Sequence, residues 1–365
     1  MQTSVGEPLP PAAAAGRTYA EVVGDLTRAS IPVRELHGRG EIAVTLASGR
    51  IVALAFSKDS PNLLWSNPEL SNTPKLRSAP ESLAGGFGGD RLWFSPELRY
   101  HWAGKPDWAG LANYHVPRAT DPGDYRFVDA GPEVVSLAAQ GNLPVQGSDQ
   151  SLDFAVQRTI RLANSPLSPG HMQKLDFVGV EATHQLTIGK DTRAGEIDLW
   201  HLLQTPVGSI LIVPLRPGHT SKLLSYGLPG RWQTTPQGVV WRITGSGNSK
   251  LGIGAAALTG RAAILRRLSP DAWCLIVRQF PVSPSTRYGD HPYGLPRHDQ
   301  VFQAWDGGGF GEMEFHSPVL DAKRGPRSLE SKDEIWAFGG SQLAIAAVAD
   351  TLLGFNIRPL TSPGC

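Results

Sequence analysis

Glycine and proline break this 365-residue chain into short pieces. There are 41 and 30 of them, spaced about every 8 to 15 residues, which leaves segments too short for most helices but long enough for strands. Between the breaks stand β-branched and aromatic runs: "EIAVTLA", "RIVALAF", "RLWFSPE", "DFAVQRTIRLA", "FVGVEATHQLTI", "GSILIVPL", "GVVWRIT", "WCLIVRQF", "GEMEFHS" and "EIWAFG". Two stretches read as helices. One is "TYAEVVGDLTRA" (18–29), with apolar residues at helical spacing; the other is the alanine-rich "SQLAIAAVADTLLG" (341–354), which Gly354 would stop. No repeat of about 20 to 50 residues is visible, which argues against a propeller or solenoid. Short Gly/Pro links suit hairpins, so the expected fold is all-β: one antiparallel sandwich from about residue 30 to 355, its N-terminal helix packed outside.

Charge and apolar patterning narrow the partners. Against 34 Lys and Arg stand 33 Asp and Glu, a formal charge of +1. No basic run suits a phosphate backbone, so nucleic acid is not an expected partner. The longest apolar candidate, residues 341–355, is interrupted by Asp350 and falls short of the about 18 residues of a membrane span. No membrane partner is expected either. Of the two cysteines, Cys274 sits inside an apolar run, as a buried small hydrophobe would, and Cys365 is the last residue. They are too few for a disulfide framework or a thiolate metal site. Residues 1–16 lack a positive n-region and an apolar core and read as a disordered leader, which places the chain as written in the cytoplasm. A start further upstream would instead allow a periplasmic or secreted protein. Nothing in these features sets an oligomeric state.

Three stretches call for a chemical reading. In "GFGEMEFHSP" (309–318), strand periodicity puts Glu312, Glu314 and His316 on one face and Met313 and Phe315 on the other. The polar face meets water or a ligand; a solvated surface strand and a binding site both satisfy the pattern. "GGFGGDRLWFSPELRYHW" (85–102) supplies Arg91, Trp93, Glu97 and His101. Arginine donates to hydroxyl oxygens and indole faces pack on the C–H faces of pyranose rings, so this composition suits a sugar. A hairpin turn leading into a buried strand with an Arg–Glu pair is the plainer alternative. The glycines are not a phosphate loop, because no G-K-[ST] ending and no helix follow. The loop "YGDHPYGLPRHDQ" (288–300) carries Asp290, His291, Tyr293, Arg297, His298 and Asp299. Its spacing matches no metal signature, and neither a metal nor a cofactor is expected.

These residues carry a resemblance. "GGDRLWFSPE", "GVEATHQLTIGKDTRAGEIDLWHLLQTPVGSILIVPL" (179–215) and "GEMEFHSPVLDAKRGPRSLESKDEIWAF" resemble, in order and spacing, segments of galactose mutarotase-like proteins. That group includes the aldose 1-epimerases, and the likeness is greatest to its uncharacterised bacterial branches. The resemblance implies a galactose mutarotase-like β-supersandwich of antiparallel sheets, with one carbohydrate-binding domain over residues 17–355 and a tail at 356–365. It also implies a concave face that takes a small sugar or oligosaccharide. In the epimerases a Glu takes the anomeric proton while a His protonates the ring oxygen. By position Glu314 matches that Glu, with Glu312 in reserve. The epimerase segment N-H-x-Y-F-N-L is absent; His184 and His201 occupy its neighbourhood, and His184 is taken as the acid. A hydrogen-bonded histidine on a sheet face is the plainer reading of His184.

The site expected from the sequence therefore joins Glu314, Glu312 and His184 as catalytic groups with Arg91, Trp93, Glu97, His101, His201, His291, Arg297 and His316 as substrate-binding groups. An aldose 1-epimerase-like isomerase is the leading reading. A noncatalytic carbohydrate-binding protein is the second, and a carbohydrate lyase or hydrolase on the same scaffold is the third, since a fold does not fix a reaction.

Overall fold

A computed structural model describes residues 16–78, 83, 86–190, 192, 195–219 and 223–361. All but the last residue of the expected leader, and Cys365, lie outside them. The described strands are β1 (Val33–His37), β2 (Glu41–Thr45), β3 (Arg50–Ala55), β4 (Asp90–Ser95), β5 (Arg126–Ala130), β6 (Val134–Pro144), β7 (Ser151–Leu162), β8 (Asp176–Ile188), β9 (Glu196–Pro206) and β10 (Ile210–Pro214). There follow β11 (Leu223–Gly227), β12 (Gln233–Thr235), β13 (Gly238–Arg242), β14 (Ser249–Gly254), β15 (Arg261–Arg267), β16 (Trp273–Gln279), β17 (Gln300–Gly307), β18 (Phe310–His316), β19 (Leu320–Asp321) and β20 (Ser328–Gly340). The helices are α1 (Tyr19–Arg28), α2 (Thr73–Ser78), α3 (Glu97–Tyr100), α4 (Gln342–Leu353) and α5 (Arg358–Thr361).

Two antiparallel sheets face each other. The first runs β1-β2-β3-β4-β9-β18-β17-β14-β11, with β19 paired to β9; the second runs β12-β13-β10-β15-β16-β20-β8-β7-β6-β5. Strand alternation sorts side chains between an inner core and two outer layers. On β16, Cys274 and Ile276 enter the core between the sheets, while Trp273, Leu275 and Val277 point outward under α4. Helix α1 likewise lays Val22 and Leu26 on Val52 and Ala55 of β3, whose Ile51 and Leu54 face inward. Central strands covered on both faces have no polar face to show, which is why "ILIVP" and "WCLIV" read as continuous apolar runs.

Both expected helices are present, and each has its stop and start signals. Thr18 and Glu21 form a capping box at α1, and Ser341 caps α4, which ends at Gly354 in the left-handed region with φ 60°. Ile345, Val348 and Leu352 of α4 are buried, each contributing about 1.5–3 kcal/mol against exposure. Packing continues past the expected boundary at 355: Ile357 is buried in the same layer, and α5 follows it.

The glycine-rich lead-in to β4 has a steric purpose. A Cβ on Gly88 would stand 2.2 Å from the Trp65 carbonyl oxygen, and one on Gly89 2.2 Å from that of Ile51; both have positive φ. The chain can therefore pass close to β3 and enter the sheet beside β9. At its other end β4 stops at Ser95, and Pro96 caps α3. This puts Glu97 on a helix rather than in the strand.

Candidate active site

Strand β18 is the middle of a buried polar face. Its register sets Glu314 opposite Leu202 of β9 and Gln303 of β17, and His316 opposite Trp200. On the far side of β9, β4 places Arg91 opposite Leu202 and Trp93 opposite Trp200. Met313 and Phe315 point the other way, into the core. The face is not solvated: Glu314 is 1% exposed and Glu312 6%. Tyr114 packs over Trp93, Trp200 and Leu202, while α3 and the 288–299 loop bring Glu97 and Asp290 in from the side.

The charges there are matched closely. The Lys250 ammonium, from β14, lies 2.9 Å from Glu97 Oε2, 3.2 Å from Glu314 Oε2 and 4.3 Å from the centre of the Trp200 ring. Trp200 Nε1 donates to the same Glu314 oxygen at 2.7 Å. Arg91 donates to Glu312 at 2.6 Å and stacks its guanidinium 3.7 Å over Trp93. Asp290 accepts the Glu97 backbone N–H at 2.7 Å and an N–H of Gln303. Burial pushes the Glu314 carboxyl up, Lys250 draws it back, Glu312 and Glu97 push it up again, and it settles at about 7. Burial raises Glu97 too, against the pull of Lys250. Burial, then the charge of Glu97, lifts the Tyr114 hydroxyl well above its usual range.

His316 is held by one nitrogen. Its Nδ1 lies 3.1 Å from Asp198 Oδ1 and 3.1 Å from Ser95 Oγ, and the Ser95 hydroxyl donates to that same Asp198 oxygen at 2.5 Å. A carboxylate cannot donate, so Nδ1 carries the proton and Nε2 is the working atom. No protein group among the described residues bonds to Nε2. Burial opposes a charge on His316, but Asp198 more than offsets it and holds the imidazole above its ordinary value.

Beside this network opens a cleft of about 520 Å³, lined by Arg91, Trp93, Phe87, Arg118 and Asp121 among others. Asp121 accepts from Trp93 Nε1 at 3.1 Å and from Arg50 at 2.7 Å. The cleft reaches Arg91 and Trp93, while Glu314 lies behind them. His101 stacks between Trp93 and Tyr114, with ring centroids 5.4 and 5.6 Å away. Its Nε2 binds the Phe94 carbonyl at 3.0 Å, and burial pushes its pKa down to about 4.

Four of the residues expected at one site stand elsewhere. His184 and His201 lie between the sheets: His184 Nε2 is 2.9 Å from Asp333 Oδ1, and His201 stacks on Phe315 at 4.0 Å. His201 is next to Trp200 in sequence, so strand alternation sends it to the opposite face. The thickness of a sheet therefore separates His184 from Glu314, which corrects the expected pairing of these two. His291 lines a second cleft of about 530 Å³ with Arg99, Arg287 and His298. Arg297 is 36% exposed at its side chain and pairs with Asp299 at 2.7 Å. Arg91, Trp93, Glu97, His101, Glu312, Glu314 and His316 do come together.

Sequence reasoning missed Trp200, Lys250, Asp198 and Tyr114. A signal existed for one of them. Lys250 is a lone cation within the otherwise apolar "KLGIG", whereas Asp198, Trp200 and Leu202 share the face of Arg91 on β9 with no polar alternation in the sequence to show it.

In structure the chain is similar to a galactose mutarotase-like protein from Lactobacillus casei ATCC 334, at 12% identity and TM-score 0.43, covering 84% of this chain and 100% of that one. It is also similar to an aldose epimerase homologue from C. elegans, at 12% identity and TM-score 0.41, covering 85% and 99%. A galactose 1-epimerase from Lactobacillus acidophilus NCFM gives 10% identity, TM-score 0.39 and coverage of 84% and 94%. No curated protein matches the sequence. One family model matches residues 23–289, most of the chain, and by that match the protein belongs to the family of unknown function DUF6786.

Proposed function

We propose that this protein is a carbohydrate-active isomerase of the aldose 1-epimerase type, with Glu314 as the base and His316, not His184, as the acid. One observation carries the reading. The two side chains stand two residues apart on one face of β18, about 6.6 Å along the strand, close to the span of a sugar ring. The carboxyl is poised at about 7, and the imidazole is oriented by Asp198 with Nε2 unbonded by protein among the described residues.

In the reaction, Glu314 takes the proton of the anomeric hydroxyl while Nε2–H of the imidazolium protonates the ring oxygen. The C1–O5 bond breaks, the electron pair passes to the ring oxygen, and the aldehyde forms. Rotation about C1–C2 and the reverse steps close the other anomer. Trp93 and Arg91 line the adjoining cleft, where an indole edge and guanidinium donors would meet a pyranose.

A noncatalytic carbohydrate-binding protein is the second reading. It is favoured by the cleft, which reaches Arg91 and Trp93 but not the buried Glu314. The lyase reading loses ground because Arg91 is paired with Glu312 rather than with the base. Mutarotation of glucose, galactose, their 6-phosphates and uronates, followed by NMR beside a thermal-shift panel, separates these readings. Acceleration by wild type supports the isomerase. A sugar-dependent rise in Tm without acceleration leaves the binder, and neither effect with any sugar removes both.

A further inference from the structure

A second polar cluster lies between the sheets, on the opposite side of β9 and β18 from Glu314. His184 of β8 and Asp333 of β20 come from one sheet and His201 of β9 from the other, and all three are buried. One ligand-type atom from each lies within 4.8 Å of the others. The closest separations are 2.9 Å from His184 Nε2 to Asp333 Oδ1 and 3.8 Å from His201 Nδ1 to the same oxygen. Among the described residues no protein group hydrogen-bonds to either His201 ring nitrogen. Leaving such atoms unbonded in a core costs about 1–3 kcal/mol each. The hydroxyl of Ser331, directly across from His184 in the β8–β20 register, is buried and likewise unbonded.

We propose that His184, His201 and Asp333 bind one transition-metal ion that fastens the two sheets together, with Ser331 completing the polar lining.

Donor chemistry selects the ion. Two imidazoles and one carboxylate suit zinc or cobalt, whereas calcium and magnesium want several oxygens. The surrounding charges point the same way. Asp333 Oδ2 is held by Arg278 at 2.9 Å, Arg278 also reaches Asp90 at 2.6 Å, and Asp90 pairs with Arg158. Two carboxylates and two guanidiniums cancel, so the ion is held by bonding to nitrogen rather than by excess negative charge. Arg278 fixes one oxygen of Asp333 and leaves Oδ1 facing the histidines, the supporting role that partners of metal-bound carboxylates play. A tetrahedral ion with bonds of about 2.0–2.1 Å keeps its ligand atoms about 3.4 Å apart, so side-chain shifts of about an ångström close the site. Burial on all sides means that the ion enters as the sheets come together. Its place on the inner face makes it independent of the sugar chemistry proposed above.

The test is metal content and spectrum. Full-length protein is unfolded in denaturant with a chelator, refolded with Zn(II) or Co(II), and dialysed against chelator under native conditions. The expected result is about one ion retained per chain, with a Co(II) spectrum of a low-coordinate nitrogen/oxygen site. His201→Phe keeps a flat ring over Phe315 and should lose the ion and the spectrum; Ser331→Ala should keep both. Wild type retaining less than about a tenth of an ion per chain overturns the proposal, and so does a folded His201→Phe that binds as much metal as wild type. Should that variant not fold, the wild-type stoichiometry and the presence or absence of imidazole ligands in the Co(II) spectrum decide alone.

Discussion

The Lys250 ammonium reaches across β17 to within 3.2 Å of Glu314 Oε2, and it is the strongest charge acting against burial on the proposed base. Burial alone would keep the carboxyl protonated; the cation and the Trp200 N–H favour its charge. Lys250→Met keeps an unbranched chain and removes the charge. The pH at which activity rises, near 7 in wild type, should then move higher, and activity at pH 6 should fall more than at pH 8. The folded value of Glu314 lies above its ordinary 4.5, so the folded state holds this proton more tightly than the unfolded chain. Stability from this group is full below about pH 4.5 and declines as pH rises to about 7. Urea titrations across that window check the sign, and a pH–rate profile that does not move with Lys250→Met would count against the assignment.

Glu314→Gln preserves shape and hydrogen-bonding capacity while deleting the basic oxygen. Turnover should fall by a factor on the order of 10² to 10⁴, with sugar affinity changed less than about tenfold. Glu312→Gln, which leaves Arg91 with a weaker partner, should act chiefly on affinity. Single-turnover and equilibrium-binding measurements on both variants separate the two roles.

How far the sequence discloses this site depends on parity within strands. The alternation of Glu312, Glu314 and His316 is legible in β18 because Met313 and Phe315 are plainly apolar. Strand β9 is buried along nearly its whole length, so "EIDLWHLLQTP" shows no alternation of polarity, and nothing in it says that Trp200 and His201 face opposite ways. A shift of one position exchanges the two faces. His201 and His184 therefore read as neighbours of the carboxylates when they belong to the inner cluster. Lys250 is hidden for another reason: a lysine in a short strand ordinarily lies at a solvated edge, and only β14's place beside β17, with Glu97 of α3 and the Trp200 and Tyr226 rings around its ammonium, buries it. The two-sheet architecture and both long helices needed no such information, because turn spacing and caps are local.

Asp90 is adjacent to Arg91 and, by the same parity, faces inward, where it holds Arg278 and Arg158 together. Asp90→Asn would leave two buried guanidiniums sharing one carboxylate, Asp333. Removing one member of a buried ionic network typically destabilises by about 3–5 kcal/mol. The urea midpoint should fall with little change in slope, while the shape of the pH–rate profile stays the same, because this cluster lies behind the sheet. A variant as stable as wild type would show that water or rearrangement replaces the lost charge.

Asp198 is the residue through which His316 can be tuned without touching the sugar. It accepts from Ser95, from the Gly289 backbone N–H at 3.0 Å and from His316 Nδ1, and its charge is what holds His316 above its ordinary value. An acid must be protonated to act, so activity should fall as pH rises through the His316 value, giving the descending limb of a bell whose ascending limb belongs to Glu314. Asp198→Asn retains an oxygen for the serine and the backbone but removes the charge. The descending limb should then shift to lower pH while the ascending limb stays near 7, narrowing the bell and lowering its maximum. A structural role alone would reduce activity equally at every pH. Profiles of wild type and Asp198→Asn that differ only by a constant factor would remove His316 as the acid.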